Sequence, residues 1–581
     1  MLPADTLGRV LEVDLARRSF QVVDRSDLFA SRLGGAGAAI RLLAGEASPA
    51  TVPEDIPVVL AVGPLNGLFP LASKAVAMFR SPLTGNLGES HCGGRTAIAL
   101  RSAGIGALVI RGASREPVYL AVRDSHVHFR SAATLWGMSS SSTAARVMRE
   151  NEGGAGTRTI LRIGPAGERG VAFAAVTAET YRHFGRLGLG AVFGARKLKG
   201  IVISGTASQP VAPFAEYRRL YDEIYHAAVD SPLMKKYHDL GTAENVEPLN
   251  LLGALPTRNL QSARFEGAAA IGGERMARSY LGRRLACAHC PVACIHIAAR
   301  REPSENEPYF FKTVMTGYDY ELLYACGSML GLADPDAVLR LLERVEALGV
   351  DAMSAGVALA WATEAREKKI VGDGETLFPL AFGQVEPYRQ ALDALVLQPN
   401  EFYRTLARGV TAAAERYGGD DFALAPGGLE MPGYHTGPAA LLGFLVGARH
   451  SHLDSAGYTI DQKELIEREL PPETVAGKLH EEESWRQVLS SLAVCFFARG
   501  IFTPERVSRC LALTGCRIDK EGLKRLGRDI LREKIAFKLA KGFSWDKLVI
   551  PDRFLKTPAP GKGLNEDFLR RGIAAYARLV S

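Results

Sequence analysis

At 581 residues, with 47% hydrophobic and 23% charged positions, the chain has the composition of a soluble globular protein and length for about three to four domains. A net charge of +7 is mild for that length and is not gathered into one patch, which excludes nucleic acid as the natural partner and favours an acidic protein or an anionic cofactor. No apolar run approaches the ~20 residues of a membrane helix, and MLPADTLGRVLEVD lacks a basic stretch followed by an apolar one, so the expected setting is cytoplasmic, away from membranes. Eight cysteines in so long a chain do not make a disulfide framework, which fits a reducing compartment.

Short β-branched runs bounded by Gly, Pro, Asp or Ser, among them GRVLEVDL, SFQVVD, PVVLAVG, KAVAMFR, GALVIRG, PVYLAVR, TRTILRIG, VAFAAVT and GIVISG, predict a strand-rich region over 1–205. Helical patterns interrupt it at 27–44 and 139–151. From 206 onward helical periodicity takes over, at 214–229, 319–331, 335–349, 352–368, 401–417, 484–499, 504–513 and 520–542. Asp334-Pro335 supplies an N-cap and a first-turn proline. ALLGFLVGA at 440–448 reads as a core helix, and the basic run at 524–542, with acids interleaved, as a solvated helix face. A break at LQPNEF near 400 divides the helical part. The predicted class is α+β: a β-rich N-terminal domain (1–205) followed by two mostly helical domains (206–400 and 401–581), with a cofactor buried between them.

Cys287-Ala-His-Cys290-Pro-Val-Ala-Cys294 packs three thiols into eight residues, and Cys495 in SSLAVCFFARG is the candidate fourth ligand. Three local thiols and a remote one suit a cubane iron–sulfur cluster, whose potential is tuned by burial and by hydrogen bonds to sulfur. Structural zinc and unrelated core cysteines are the alternatives; zinc sites more often pair two C-x2-C halves, and no second pair is present. The glycines of 163–170, 182–200 and 80–100 stand among cations, so backbone amides can approach a phosphate there, with tight strand–helix packing as the alternative. The G-x-G-x-x-G fingerprint and the Walker lysine motif are both missing.

Taken in order, GRVLEVDL, LGGAGAAIRLL, VGPLNG, SPLTGNLGESHCGG, IGPAGERGVAFAAV, RHFGRLGLGAVFGARKLKGIVISG and CAHCPVAC resemble the tungsten-dependent aldehyde:ferredoxin oxidoreductase family along nearly the whole chain. The resemblance implies two pterin dithiolenes chelating one tungsten, or molybdenum, with Mg as a candidate bridge between the pterins and no side chain on the heavy metal. It implies a [4Fe-4S] cluster on Cys287, Cys290, Cys294 and Cys495. Pterin contacts fall at Lys74, His91, Gly93, Arg182, His183 and Gly185, and at two D-x-x-G-L-(C/D) elements: Glu346-Ala-Leu-Gly349-Val350-Asp351 and Ser490-Ser-Leu-Ala493-Val494-Cys495. The leading acid is Glu346 in one element and Ser490 in the other, Lys74 stands where arginine is usual, and His91 where asparagine is.

Glu321 and His452 fall at the proton-transfer positions, with Asp319 and His450 as rivals. The implied activity is oxidation of an aldehyde to a carboxylic acid, with electrons passed to ferredoxin or a ferredoxin-like iron–sulfur subunit, in a homodimer or a heteromer. Reduction of an aromatic acyl-CoA, and a non-catalytic electron-transfer subunit, are the alternative readings.

Overall fold

A computed structural model describes residues 2, 5–45, 56–179, 181–304, 307 and 309–581. Two six-stranded sheets are built before residue 206. One runs, in spatial order, Ser19–Asp24, Arg9–Asp14, Ala107–Arg111, Val58–Ala61, Ala75–Arg80 and Leu87–Cys92. The other runs Arg182–Phe184, Val176–Ala178, Thr157–Ile163, Leu198–Gly205, Val118–Arg123 and His126–Ser131. Each holds one parallel pair in an otherwise antiparallel ladder, Arg9–Asp14 with Ala107–Arg111 and Leu198–Gly205 with Val118–Arg123. Val58–Ala61 and Leu198–Gly205 are buried along their whole length, which is why they read as continuous apolar runs instead of alternating ones.

Several expectations shift. VAFAAVT is strand only at Val176–Ala178, while Leu87–Cys92 and Arg182–Phe184 form strands inside segments rich in glycine. Glycine hides a strand from propensity; here pairing such as Ala75 with Cys92 and Val176 with Phe184 supplies the ladder. The second region is not all helix either. Leu281–Leu285, Ile295–Pro303 and Phe311–Tyr318 make a three-stranded antiparallel sheet, and the three-thiol loop is its first connection.

Asp334 caps Pro335–Leu348 as expected, accepting the Asp336 amide at 3.1 Å. The helix expected over 484–499 instead ends at Ser491: Pro472–Ser491 stops, Ala493 turns left-handed at φ 55°, and Cys495 leads into a short 3-10 turn, Phe496–Ala498. The pattern at 401–417 is split at Gly409. Lys520–Ala540 is solvated on one face only, because Lys534 and Lys538 are fully buried, Lys534 on Glu89 at 2.5 Å and Lys538 on the Gly447 carbonyl at 3.0 Å.

The apolar core falls into two large bodies. One joins both sheets to Val488, Leu489, Leu492 and Ile530. The other is mostly helical but takes in Phe173 and Ala174. The helix Pro472–Ser491 spans both bodies, with Val475, Ala476 and Leu479 in the helical one and Val488 and Leu489 in the other. Among the described residues no helix is long and apolar enough to cross a membrane.

Candidate functional site

A cavity of about 570 Å³, in the usual range for a bound cofactor, opens where the two bodies meet. Two helices end on it in the same way. Pro335–Leu348 is capped by Gly349 at φ 75°, and the chain leaves through Val350 to Asp351. Pro472–Ser491 passes through Leu492 to Ala493 and leaves through Val494 to Cys495. Glycines of the N-terminal region let these ends approach backbone to backbone: Gly164 against Leu348 and Gly349, Gly35 and Gly63 against residues 490–492. The Ala175 and Lys74 amides then bond the Gly349 and Ala493 carbonyls at 2.9 and 3.0 Å.

At the first end everything is paired. His183 Nε2 meets Glu346 Oε2 at 2.7 Å, and Arg186 donates to Asp351 at 3.0 Å. Asp351 also accepts the Met353 amide and so caps Ala352–Glu367. Burial alone would raise the Glu346 carboxyl, but His183 and the guanidinium groups beyond it hold it below its usual value.

The second end carries the thiols. Leu71 is the hinge of the arrangement: its amide bonds the His289 carbonyl at 3.0 Å, and its carbonyl accepts the Cys495 amide at 2.9 Å. The loop and the remote cysteine are thus held by one residue. Lys74 is buried in the electrostatic reach of Cys495, Cys287 and Cys294, which outweigh the loss of water and raise its pKa. Reciprocally, burial would push the Cys287 thiol up, yet Lys74 and Arg182 bring it below its usual value. Cys290 and Cys294 are pushed to about 12 and about 11 by burial and by Cys495. Gly93 is required between thiol and amine, since a Cβ there would lie 2.7 Å from Cys287 Sγ and 3.1 Å from Lys74 Nζ. His289 and Ala293 adopt left-handed φ of 57° and 52° without being glycine, each a cost of about 1–2 kcal/mol that the surroundings hold in place. Among the described residues no three His, Cys, Asp or Glu groups are arranged to hold a single metal ion.

Opposite the thiols, Glu321 Oε1 lies 3.3 Å from His452 Nε2 and accepts the Tyr434 hydroxyl at 3.2 Å. Tyr434 stacks on Tyr458 at 4.8 Å and meets His452 at a tilt, 4.9 Å between centroids, so the three rings form one cluster. Burial would raise Glu321, but the imidazole lowers it. Asp319 lines the same wall, is pushed up to about 6 by burial and by Glu321, and caps Tyr320–Cys326 through the Leu322 amide at 3.1 Å. His450 is elsewhere: it bonds the Phe444 carbonyl at 2.9 Å and Lys538 at 3.0 Å, outside the cavity wall.

Of the residues singled out in the sequence, Lys74, His91, Gly93, Arg182, His183, Gly185, Glu321, Glu346, Val350, Asp351 and His452 line the cavity. Ser490, Val494 and Cys495 stand behind its wall at the second helix end. Within 182–200, Gly188, Gly190 and Gly194 serve close packing against 167–175, and Gly185 alone faces the cavity. Sequence reading missed Arg186, Tyr434, Arg449 and Arg486. Arg449 and Arg486 flank the Phe496 ring at 5.8 and 5.4 Å. Arg486 Nη2 and His452 Nδ1 are buried without a hydrogen-bond partner among the described residues, and both side chains line the cavity. Such orphaned groups call for a ligand, so the donor set fits a large polar cofactor.

The cavity wall joins a carboxylate–imidazole pair to two cations that face buried thiols. Residues 10–205 match the family model for the aldehyde ferredoxin oxidoreductase N-terminal domain, and 219–577 the model for domains 2 and 3. The chain belongs to the aldehyde ferredoxin oxidoreductase family. A tungsten-containing aldehyde ferredoxin oxidoreductase of Thermococcus kodakarensis is 30% identical over 573 residues, covering 95% of this chain and 92% of the relative. One from Pyrococcus furiosus is 31% identical over 437 residues, 74% of this chain and 70% of the relative. An aliphatic sulfonate oxidoreductase, WOR-like subunit, of Pyrococcus furiosus is 26% identical over 70% of this chain and 66% of its own. Among solved structures, the active site complex BamBC of benzoyl coenzyme A reductase with 1,5 dienoyl-CoA shares the fold, with TM-score 0.81 and 22% identity over 99% of this chain and 94% of that one.

Proposed function

We propose that the protein oxidises an aldehyde to a carboxylic acid and passes the electrons to ferredoxin or a small iron–sulfur subunit. The reading is carried by one observation: the Glu321–His452 pair lines a cavity whose wall also holds Lys74 and Arg182, the cations in electrostatic reach of the Cys287 and Cys294 thiols, with Cys495 beside Lys74. A bis-pterin tungsten or molybdenum centre bound there would supply two-electron oxidation, and a [4Fe-4S] cluster on the thiols one-electron transfer.

The chain's own residues do the rest. Lys74, His91, Arg182, His183, Glu346 and Asp351 would hold the pterins, with Ser490 behind the wall at the second helix end, and Arg449 and Arg486 would offer further cations to their phosphates and a bridging Mg. Oxidation of a hydrated aldehyde releases two protons with its two electrons. Glu321, held as a carboxylate, accepts the first, and His452 relays it. Tyr434, donating to Glu321, fixes the acceptor's position, and burial of this wall keeps bulk water from competing.

Elemental analysis combined with a dye-linked assay over short, aromatic and sugar-derived aldehydes tests this. Expected are iron together with tungsten or molybdenum, and aldehyde-dependent dye reduction. Iron without either heavy metal, or a fully metallated protein inert to every aldehyde, would overturn it. A second reading, reduction of an aromatic acyl-CoA, is favoured by the aromatic wall of Tyr181, Tyr237, Tyr434, Tyr458 and Phe497 and by the fold shared with BamBC. Turnover of benzoyl-CoA without turnover of aldehydes would select it.

A further inference from the structure

The thiol loop is where the site comes nearest to solvent. His289 is exposed and Cys290 half-buried, whereas His452 on the far wall is buried. Two helices flank the loop and are tied to the backbone that holds it. Tyr217, on Phe214–Val229, donates its hydroxyl to the Leu68 carbonyl at 2.7 Å. His238, on Pro232–Asp239, donates from Nδ1 to the Val292 carbonyl at 2.8 Å.

These helices turn apolar side chains outward. Phe214, Tyr225, Val229 and Leu233 are 65, 39, 49 and 44% exposed. Positions 214, 225 and 229 share one helical face, with Arg218 and Asp222 exposed among them, and Leu233 is exposed at the start of the next helix. Charge on the loop side is distinctive as well. Lys235 and Lys236 are neutralised by Asp239 and Glu244 at 2.6 and 2.9 Å. Arg284 and Arg499, a few residues from Cys287 and Cys495, donate to the His238 and Phe496 carbonyls at 2.8 and 3.0 Å. Arg284 shares the Asp239 carboxylate with Lys235, and Arg499 stands without a carboxylate among the described residues, so the charge beside the thiols leans positive.

We infer that this face docks a small acidic iron–sulfur protein, its apolar rim on the exposed Tyr225, Val229 and Leu233 and its carboxylates toward Arg284 and Arg499. The inference rests on the redox reading above and adds the surface through which electrons leave. The step moves one electron at a time from the reduced cluster to the oxidised acceptor, with no bond made or broken. A second copy of this chain is disfavoured as occupant because it would bring a net charge of +7 against a positive face.

Val229→Asp and Leu233→Asp lie outside the cavity wall and on exposed positions, so they leave the chemistry alone. Val549→Asp, at a position 62% exposed in the C-terminal part, is the control. In the metallated enzyme, reduction of an acidic bacterial ferredoxin is compared with reduction of benzyl viologen, and binding of oxidised ferredoxin is measured by calorimetry. Val229→Asp and Leu233→Asp should each raise both KM and Kd for ferredoxin by roughly tenfold. Viologen turnover should stay within about twofold, Val549→Asp should change nothing, and added salt should weaken binding. Unchanged KM and Kd in both variants, an equal loss in the control, or loss of a wild-type dimer in the same two variants would overturn the inference. If wild type reduces no dye with any aldehyde, the redox reading fails on its own, and the calorimetric comparison still decides the surface.

Discussion

The ends of Pro335–Leu348 and Pro472–Ser491 present the same turn to the cavity, each followed by a left-handed residue, Gly349 at φ 75° and Ala493 at φ 55°, and each approached by glycine backbone of the N-terminal region, Gly164 at the first and Gly35 and Gly63 at the second. Their side chains diverge. Glu346 and Asp351 are closed onto His183 and Arg186, while the second end offers Ser490, Cys495 and the unpartnered Arg486 Nη2. The comparison teaches that one backbone device can be used twice, once as a pinned wall and once as a socket for a thiolate. It also explains why Ser490 is tolerated: the turn is held by backbone bonds from Lys74 and Leu71, not by a carboxylate.

Breaking the socket should have the largest effect. Cys495→Ser removes the one ligand that joins the two parts of the site, and iron analysis should show loss of the cluster with loss of ferredoxin- and dye-linked turnover. Retention of full iron would mean that the second end is not a ligand site. Glu321→Gln leaves both helix ends intact and should lower kcat/KM by about 10²–10⁴-fold with metal content unchanged; a change of less than about twofold would remove Glu321 from proton transfer.

The pH dependence of the apoprotein reports on two buried imidazoles, His91 on Glu89 at 2.7 Å and His450 on the Phe444 carbonyl at 2.9 Å. His91 and His450 are pushed to about 4 and about 3, chiefly by burial. Their folded-state pKa values lie below the unfolded value, so no penalty exists above pH 6.5. Stability is lost as pH falls from about 6.5 toward 4, at about 1.4 kcal/mol per pKa unit of separation. Denaturant titration at pH 7, 5.5 and 4.5 should show the decline, and His91→Asn should flatten it. The smallest effects belong to the two turns. Gly349→Ala should cost about 1–2 kcal/mol, and more where its Cβ meets the Gly164 amide at 3.0 Å. Ala493→Gly should gain about 1 kcal/mol or less, since relieved strain is offset by backbone entropy. Thermal melts of the apoprotein check both, and equal signs would show that the turns are not equivalent.

Much of this was legible in the chain itself, for local reasons. Asp334-Pro335 announces a helix start because capping is a contact between neighbours. Three thiols in eight residues announce a metal because their spacing is fixed by sequence. Arg449 and Arg486 carried no comparable sign: each is one arginine among many, and its place at Phe496 depends on two segments packing together. Lys534 and Lys538 were misread for the same reason, since an interleaved basic helix looks solvated until Glu89 and the Gly447 carbonyl arrive from elsewhere.

The sequence by itself determined the β-rich opening, most of the helices, the three-thiol loop and the family. Only the tertiary structure decided where the Pro472–Ser491 helix stops, that Leu71 clasps both the loop and Cys495, that Glu321 meets His452, and which cations face the cavity. The division has a physical cause. Caps, turns and ligand spacings are set by energies between near neighbours in the chain, whereas cavity walls and ion pairs are set by burial, which exists only once distant segments have excluded water together.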